Sequence, residues 1–285
     1  MNNRTDVSEL TRFAHELVDG INLRLLNWFG KTRPGIKHDG SVVTEADLEV
    51  DQYIHDQIRT SFPDHAVLSE ENSLVFEGAL YTWVVDPLDG TTNFANGLVY
   101  WGTSVALLFE GKPLLGILDF PILQQRFSAL EGQGAWLNGE SLQVSVPPEI
   151  HGNLVITMDT RGNRFVDIGL SLKPRLLGSA AYDMVAVAAG IAVASIQITP
   201  KIWDISAAWL VAREAGCTVA PLWPGATVFP LLKGCDYETQ MYPLIVAPDG
   251  DTWNTLKESV SLRPGNDGLI EALSEQGWLA GARGE

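Results

Sequence analysis

The sequence predicts a mixed α+β fold, with an antiparallel sheet in the N-terminal half and alternating strands and helices in the C-terminal half. Short apolar runs rich in β-branched residues, separated by brief turn signals, fill positions 102–137, and such local connections favour antiparallel pairing. Beyond Pro147 and Pro148, strand and helix patterns alternate. We therefore divide the chain into an N-terminal half, 1–146, and a C-terminal half, 147–285.

Two helices are predicted at the start of the N-terminal half. Apolar residues recur at helical spacing over 7–29 and again over 44–62. Thr44 is suited to cap the second helix, and Asp47 places a negative charge in its first turn, where it is favoured. The polar segment 31–40 between the helices predicts a loop or a hairpin.

The rest of the N-terminal half is predicted to be β-structure. Six apolar runs bounded by polar or turn residues indicate strands at 66–68, 81–85, 102–109, 113–120, 126–131 and 135–137. The pair Asn138 and Gly139 is a strong hairpin signal. A meander of neighbouring antiparallel strands is the expected result.

The C-terminal half is predicted to alternate between strands at 154–158, 175–177, 195–198 and 244–247 and helices at 180–190, 205–215 and 249–260. Residues after 261 show no clear pattern. The most membrane-like stretch, 184–198, is about 15 residues long, too short to span a bilayer comfortably. We therefore expect no association with membranes.

Composition narrows the classes of function and location. The formal net charge is −16, which argues against nucleic-acid binding and against an anionic membrane surface, since both need a basic face. Two cysteines without CxxC spacing suggest neither a disulfide scaffold nor a zinc site. The N-terminal residues lack the apolar core of a signal peptide, so a cytoplasmic protein is expected.

The most informative segment is WVVDPLDGTTNFANG, which runs from Trp83 to Gly97. Asp86 and Asp89 place two carboxylates at the end of a predicted buried strand. Gly90 permits a tight turn, and the residues that follow favour a helix start. Hard oxygen ligands beside a helix N-terminus are suited to holding divalent cations against a phosphate group.

Two further acidic positions extend this pattern, each with a simpler alternative. Glu70 follows the apolar run 66–68 and could instead belong to a solvated surface pair. Asp204 opens a helical stretch and could instead cap a helix that starts at Ile205. Asp86 and Asp89 could likewise be turn residues.

Together these motifs resemble the inositol monophosphatase family of Mg-dependent, lithium-sensitive phosphatases. The matching pieces follow the family order: Lys37 with VTEAD at 43–47, SEE at 69–71, DPLDGTTNF at 86–94, GSAA at 178–181 and WDISAA at 203–208. The resemblance implies a layered αβαβα sugar-phosphatase-like fold, with the two halves meeting over the metal site. It also implies a homodimer.

The resemblance implies two or three Mg²⁺ ions as cofactors. Glu70, Asp86 and the backbone carbonyl of Leu88 would hold the first ion. Asp86, Asp89 and Asp204 would hold the second ion. Glu70 and waters would hold a third, weaker ion, so Glu70 is predicted to be both a ligand and a catalytic residue.

The resemblance also implies roles around the reacting phosphate. Thr91 would orient the attacking water, and Asp47 would polarise the Thr91 hydroxyl. The backbone N–H groups of Gly90 and Thr91 would bind the phosphate. If Thr91 had no such role, we would expect it only to cap the following helix.

The organic part of the substrate is predicted to meet a second set of residues. Gly178, Ser179 and Ala180 resemble the family segment whose backbone meets the substrate ring. Gln197 stands where inositol-specific members carry Glu, and its weaker acceptor predicts relaxed specificity toward sugar and polyol phosphates. Gln197→Glu is then expected to sharpen the preference for inositol phosphate. If Gln197 instead ends a strand facing solvent, it has no such effect.

Two other readings of the acidic motif stay open at the level of sequence. DPLDGT superficially resembles the DxDGT of haloacid-dehalogenase-like phosphatases, whose first Asp is a covalent nucleophile, although here the acids are three residues apart rather than two. Alternatively, the chain could be a catalytically weak member with a regulatory or interaction role. Small phosphorylated polyols or sugars are the predicted substrates.

Overall fold

The computed structural model describes residues 6–31, 34–36, 42–223, 227–265 and 267–276. The helices are α1 (Val7–Trp28), α2 (Glu45–Ser61), α3 (Thr91–Ala95), α4 (Thr160–Phe165), α5 (Ala180–Ala188), α6 (Ile202–Glu214), α7 (Gly250–Ser259) and α8 (Asp267–Glu275). Lys37 and part of the predicted loop 31–40 lie outside the described residues.

The strands are β1 (Gly35–Ile36), β2 (Val42–Val43), β3 (Ala66–Ser69), β4 (Tyr81–Asp89), β5 (Gly102–Phe109), β6 (Lys112–Phe120), β7 (Gln125–Leu130), β8 (Gly134–Leu137), β9 (Glu140–Leu142), β10 (Val155–Met158), β11 (Val166–Ile168), β12 (Lys173–Arg175), β13 (Ala194–Gln197), β14 (Thr218–Pro221), β15 (Leu244–Ala247) and β16 (Val260–Leu262). They are distributed over two large sheets and two small ribbons.

The larger sheet has seven strands in the order β3-β4-β5-β6-β7-β8-β9. The predicted antiparallel pairing is confirmed from β4 to β8, and β9, which was not predicted, continues it. The prediction is wrong for β3 and β4, which run parallel. The connection over 70–80 is long enough to return the chain to the same end of the sheet, and a tight hairpin could not do so.

The smaller sheet has five strands in the order β12-β10-β13-β15-β14. Strand β10 pairs in parallel with both β12 and β13, whereas β15 runs antiparallel to its two neighbours. Helix α5 connects β12 and β13 on the side of the sheet that faces the larger sheet, and α6 follows β13 on that same side.

Successive side chains of a strand point to opposite faces of the sheet, which shows which helices cover each face. On β4, Trp83 and Val85 pack in the cluster that holds α1 and α2, while Val84 packs in the cluster that holds α5 and α6, as a period of two requires. The far face of the smaller sheet packs against Leu256 of α7. The order of layers is therefore α1/α2, large sheet, α5/α6, small sheet, α7, which confirms the predicted layered fold.

Several predicted boundaries shift. Helix α6 begins at Ile202 rather than at 205, and β12 lies at 173–175 rather than 175–177. The short elements β9, α4, β11, β14 and α8 were not predicted from the sequence. Strands of three residues carry too little periodicity to detect, and β11 exists because it pairs with the distant β16. Within the described residues, no helix combines the length and the apolar character needed to cross a bilayer.

Candidate active site

Three acidic side chains converge where the end of β4 meets the start of α6. Asp86, Asp89 and Asp204 each offer a carboxylate oxygen, and these atoms all lie within 4.8 Å of one another. Residues three apart on a regular strand point to opposite faces. The register between β4 and β5 shifts between Asp86 and Asp89, and this irregularity lets both acids serve one site.

Asp89 is held by the N-terminus of α5. Its carboxylate accepts hydrogen bonds from the Ser179 hydroxyl, from the Ala180 amide at 3.2 Å and from the Ala181 amide at 3.0 Å. Ser179 also caps α5, since its hydroxyl accepts from the Tyr182 amide at 3.1 Å. The GSAA segment therefore orients a candidate metal ligand, a role that the sequence did not reveal.

Asp86 and Asp204 are fixed by shorter-range contacts. The Leu88 amide donates to Asp86 Oδ1 at 2.9 Å, and the Lys201 amide donates to Asp204 Oδ2 at 2.8 Å. The N-cap of α6 is Lys201, so the alternative in which Asp204 caps a helix at Ile205 is wrong. Asp204 lies in the first turn, because the helix starts three residues earlier than its apolar pattern suggested.

The three carboxylates share an electrostatic environment that favours a bound cation. Burial, followed by the nearby charges of Glu70, Asp89 and Asp204, raises the pKa of Asp86 well above its usual value. Burial raises the pKa of Asp89 to about 6, and burial with the Asp89 charge raises that of Asp204. Crowded, buried carboxylate oxygens fit a hard divalent cation such as Mg²⁺, which would relieve this repulsion.

Glu70 lies at the edge of this cluster. It lines the same cavity as Asp89 and Asp204, and its charge contributes to the raised pKa of Asp86. Among the described residues it does not belong to the set whose oxygens all lie within 4.8 Å. Its role as a metal ligand stays a prediction.

Asp47 and Thr91 meet beside the cluster. The Thr91 hydroxyl lies 3.1 Å from Asp47 Oδ1 and 2.9 Å from the Leu88 carbonyl oxygen. Asp47 Oδ2 also accepts hydrogen bonds from the Thr44 amide at 2.7 Å and from the Thr44 hydroxyl at 2.6 Å. Burial is the main cause of its raised pKa. A single hydroxyl hydrogen serves one acceptor at a time, so the Thr91 oxygen keeps lone pairs for a third partner.

Gly90 makes the turn that brings Thr91 to this position. Its φ is +86°, and a Cβ there would lie 2.7 Å from the Tyr100 carbonyl oxygen, so a side chain would be strained and would clash. Gly90 is the N-cap of α3, and Thr91 is its first residue. The alternative in which Thr91 only caps the helix is therefore wrong.

Asn93 supports the site from behind, a role that the sequence did not reveal. Its amide nitrogen donates to the carbonyl oxygens of Tyr100 at 2.5 Å and Leu177 at 2.7 Å. Gly178 has φ +81°, and a Cβ there would lie 2.9 Å from that nitrogen. Asn93 thus fixes the loop that leads into Ser179. Its place in the TTNF run was the available signal, because an amide can bridge two carbonyls.

A cavity of about 500 Å³ opens over the acidic cluster. Its lining includes Asp89 and Asp204 together with the predicted residues Glu70, Gly178, Ser179 and Ala180. Residues of α4 and of the segment that leads into α6 complete the wall, among them Asp159, Arg161 and Lys201. The structure therefore places the predicted ring-binding segment and most of the predicted ligands around one space large enough for a small phosphate ester.

Gln197 is one of the predicted site residues that do not line the cavity; the others are Asp47, Asp86, Leu88, Gly90 and Thr91. Gln197 is 0% exposed, so the solvent-facing alternative is wrong. Its amide nitrogen lies 2.9 Å from Ser195 Oγ and 3.4 Å from Asp183 Oδ2. The side chain lies behind Asp183 because β13 directs alternate residues toward α5.

This placement changes the expected effect of Gln197→Glu. A buried glutamate would face the Asp183 carboxyl, and we expect the substitution to lower the free energy of unfolding by about 3 kcal/mol near neutral pH. The loss should shrink at lower pH, where the raised pKa of the new carboxyl leaves it protonated. Chemical denaturation measures the change, with exposed Gln133→Glu as the matched control. Wild-type stability of Gln197→Glu would contradict this packing.

The chain is similar to known proteins over most of its length. The model of a family described as the inositol monophosphatase family matches residues 6–249. "Nus factor SuhB" of Pseudomonas aeruginosa is 35% identical over 193 residues, which cover 62% of this chain and 71% of that protein. "Fructose-1,6-bisphosphatase/inositol-1-monophosphatase" of Thermotoga maritima is 32% identical over 210 residues, 68% of this chain and 77% of that protein.

Solved structures agree with the fold. A Thermotoga maritima IMPase superposes with a TM-score of 0.71 at 26% identity, and the alignment covers 94% of this chain and 97% of that one. The similarity therefore extends across both sheets and the cavity between them.

Proposed function

The chain belongs to the inositol monophosphatase family, and from this premise we propose that it is a Mg²⁺-dependent phosphomonoester hydrolase of inositol monophosphate or a related sugar or polyol phosphate. Family membership supports phosphatase activity of the inositol monophosphatase kind. The observation that carries the proposal is the convergence of Asp86, Asp89 and Asp204, whose oxygens lie within 4.8 Å of one another beside a cavity that Asp89 and Asp204 line.

The metal site of the proposal follows from the donor set. Asp86, Asp89 and Asp204 would hold the metal, with Glu70 and the Leu88 carbonyl as further oxygen donors, for two or three ions in all. Bound Mg²⁺ supplies neutralisation of the phosphate charge, a lowered pKa for water and stabilisation of the leaving oxygen.

The chain's own residues would orient the attacking water, bind the phosphate and hold Asp89 in place. Thr91 Oγ1 would accept a hydrogen bond from the attacking water while its own hydrogen points to Asp47 Oδ1, 3.1 Å away. The backbone N–H groups of Gly90 and Thr91 would bind the phosphate. Through Ser179 and the amides beyond it, α5 keeps Asp89 oriented during the reaction.

Phosphate release from a panel of esters tests the proposal. Inositol 1-phosphate, fructose 1,6-bisphosphate, histidinol phosphate and a nucleotide 3′-phosphate are each assayed with Mg²⁺, with chelator and with Li⁺. The proposal expects Mg²⁺-dependent release from inositol 1-phosphate and at least one other polyol or sugar phosphate, inhibited by Li⁺. Release that is unaffected by chelator, or no release from any ester, would contradict it.

Further features of the proposal are a homodimer in the cytoplasm that acts on small molecules without binding nucleic acid or membranes. The net charge of −16 supports the exclusion of nucleic acid and anionic membranes. Sedimentation at several protein concentrations tests the dimer.

Of the two alternatives that the sequence left open, one is dropped and the other keeps one supporting observation. The haloacid-dehalogenase-like reading does not fit the family match over residues 6–249, and we drop it. A regulatory role is favoured by one observation, the similarity to proteins named Nus factor SuhB. The intact acidic cluster favours catalysis. Absence of turnover in a well-folded, Mg²⁺-binding protein would favour the regulatory role.

A further inference from the structure

One buried acid in the cavity is left unused by the proposed reaction. Asp183 lies in the first turn of α5 and is 1% exposed, yet it lines the cavity. Its Oδ1 atom has no hydrogen-bond partner. Among the described residues with such buried, unpartnered polar atoms, Asp183 is the one that lines this cavity. A buried acceptor without a donor is costly, and such groups call for a functional explanation.

The neighbouring acid Asp159 shows that this is not a general property of the cavity wall. Its carboxylate accepts from the amides of Gly162 at 2.5 Å and Thr199 at 2.8 Å, and from the Ile198 amide at 3.1 Å. Asp159 is thereby committed to joining α4 to the end of β13. Asp183 has no comparable structural task for its Oδ1 atom.

The position of Asp183 relates it to the metal cluster. The same helix end that holds Asp89 through Ala180 and Ala181 carries Asp183 a few residues further on. A rise of 1.5 Å per residue puts it about 4.5 Å beyond Ala180 along the axis. A phosphate seated at the cluster would therefore bring the alcohol part of its ester within reach of Asp183.

We propose that Asp183 is the specificity-determining residue of the cavity, and that it accepts a hydrogen bond from a hydroxyl group of the substrate's polyol. Gln197 is a positioning residue behind it, with its amide nitrogen 3.4 Å from Asp183 Oδ2. The inference rests on the proposed phosphatase function and names the substrate group that this site recognises. Because the carboxyl is almost fully covered, only a small group such as a hydroxyl can reach it.

The chemistry of the residue also selects the kind of group. A carboxyl oxygen without a donor accepts a hydrogen bond from a neutral hydroxyl, whereas a second phosphate dianion carries acceptors only and offers it no donor. A hydroxyl that is missing from the substrate leaves the buried oxygen unpaired, which is the situation in which enzymes discriminate most strongly. The substrate class expected at this end of the cavity is therefore an uncharged polyhydroxy group.

The test compares inositol 1-phosphate with cyclohexyl phosphate, which has the same ring without the hydroxyls. The wild type is expected to favour inositol 1-phosphate in kcat/KM, and Asp183→Ala should reduce that ratio by roughly tenfold while cyclohexyl phosphate turnover stays near the wild-type value. Asp183→Asn should give a smaller reduction, since its amide oxygen still accepts. Exposed Asp251→Ala, in the first turn of α7, is the matched control and should leave both substrates unchanged.

Three outcomes would overturn the inference. An equal fall of kcat/KM for both substrates in Asp183→Ala would show a general structural role. An unchanged ratio of the two kcat/KM values in that variant would remove Asp183 from substrate recognition. A ratio near one in the wild type would do the same. If Asp183→Ala does not fold, Asp183→Asn and the wild-type ratio still decide. Failure of the wild type to hydrolyse these two esters and every ester of the panel above would instead defeat the proposed function itself.

Discussion

Asp89→Asn is expected to lower turnover by about a thousandfold at saturating Mg²⁺, since a metal ligand contributes several kcal/mol of transition-state stabilisation. The carboxylate of Asp89 is one of three that lie within 4.8 Å of one another. Asparagine keeps the shape but removes the negative charge that would bind the cation. Phosphate release from inositol 1-phosphate, measured as a function of Mg²⁺, gives the result.

The fold of this variant must be checked separately. Asp89 accepts from Ser179, Ala180 and Ala181, and an asparagine NH₂ group turned toward those donors would weaken the start of α5. Circular dichroism and a thermal melt separate this loss from lost chemistry. Exposed Asp64→Asn is the control for removal of one charge. Near wild-type turnover in folded Asp89→Asn would show that the cluster is not the catalytic metal site.

Thr91→Ala is expected to reduce kcat by about two orders of magnitude, with little change in Mg²⁺ affinity. The helix cap here is Gly90 rather than Thr91, so the lost hydroxyl contributes mainly through its contacts with Asp47 and Leu88. We expect stability to fall by only about 1 kcal/mol, the usual contribution of one hydrogen bond.

Thr91→Ser supplies the matched comparison. Serine keeps the hydroxyl and removes only the methyl group, so it should retain most of the turnover. A parallel loss of stability and activity in both variants would indicate a structural role. Thr91→Ala with normal kcat would remove Thr91 from the positioning of water.

The sequence was sufficient for the features that depend on local pattern. The helices α1 and α2 and the antiparallel run from β4 to β8 follow from periodicity, and the convergence of Asp86, Asp89 and Asp204 follows from the resemblance to the family. Asp47 and Thr91 also meet as expected. In each case, neighbouring residues or a known motif carry the information.

What the sequence could not provide depends on long-range packing. The parallel pairing of β3 and β4, the partner of Gln197 and the support of Asp89 by Ser179 each join residues that no local pattern relates. Gln197 was expected at the substrate because of its spacing from Asp204. The structure places Asp183 between Gln197 and the cavity, since the orientation of α5 decides which side chain lies in front.

Proton and metal binding should compete at the cluster. The pKa of Asp89 is raised to about 6 in the metal-free fold, against an ordinary value of 3.8. A raised carboxyl pKa means that the folded state binds more protons than the unfolded state between these values. The cluster therefore destabilises the metal-free protein most above pH 6, and Mg²⁺ should relieve more repulsion at pH 7.5 than at pH 5.

The most direct test is thermal unfolding of the chelator-treated protein at pH 7.5, with and without Mg²⁺, beside the Asp86→Asn variant. Saturating Mg²⁺ should raise the melting temperature of the wild type by about 5 °C, as expected for a ligand at about a hundred times its Kd. Asp86→Asn should melt at or above the metal-free wild type and show little response to Mg²⁺. A wild type that is insensitive to Mg²⁺, or an Asp86→Asn variant that responds as strongly as the wild type, would contradict a metal centre at these three aspartates.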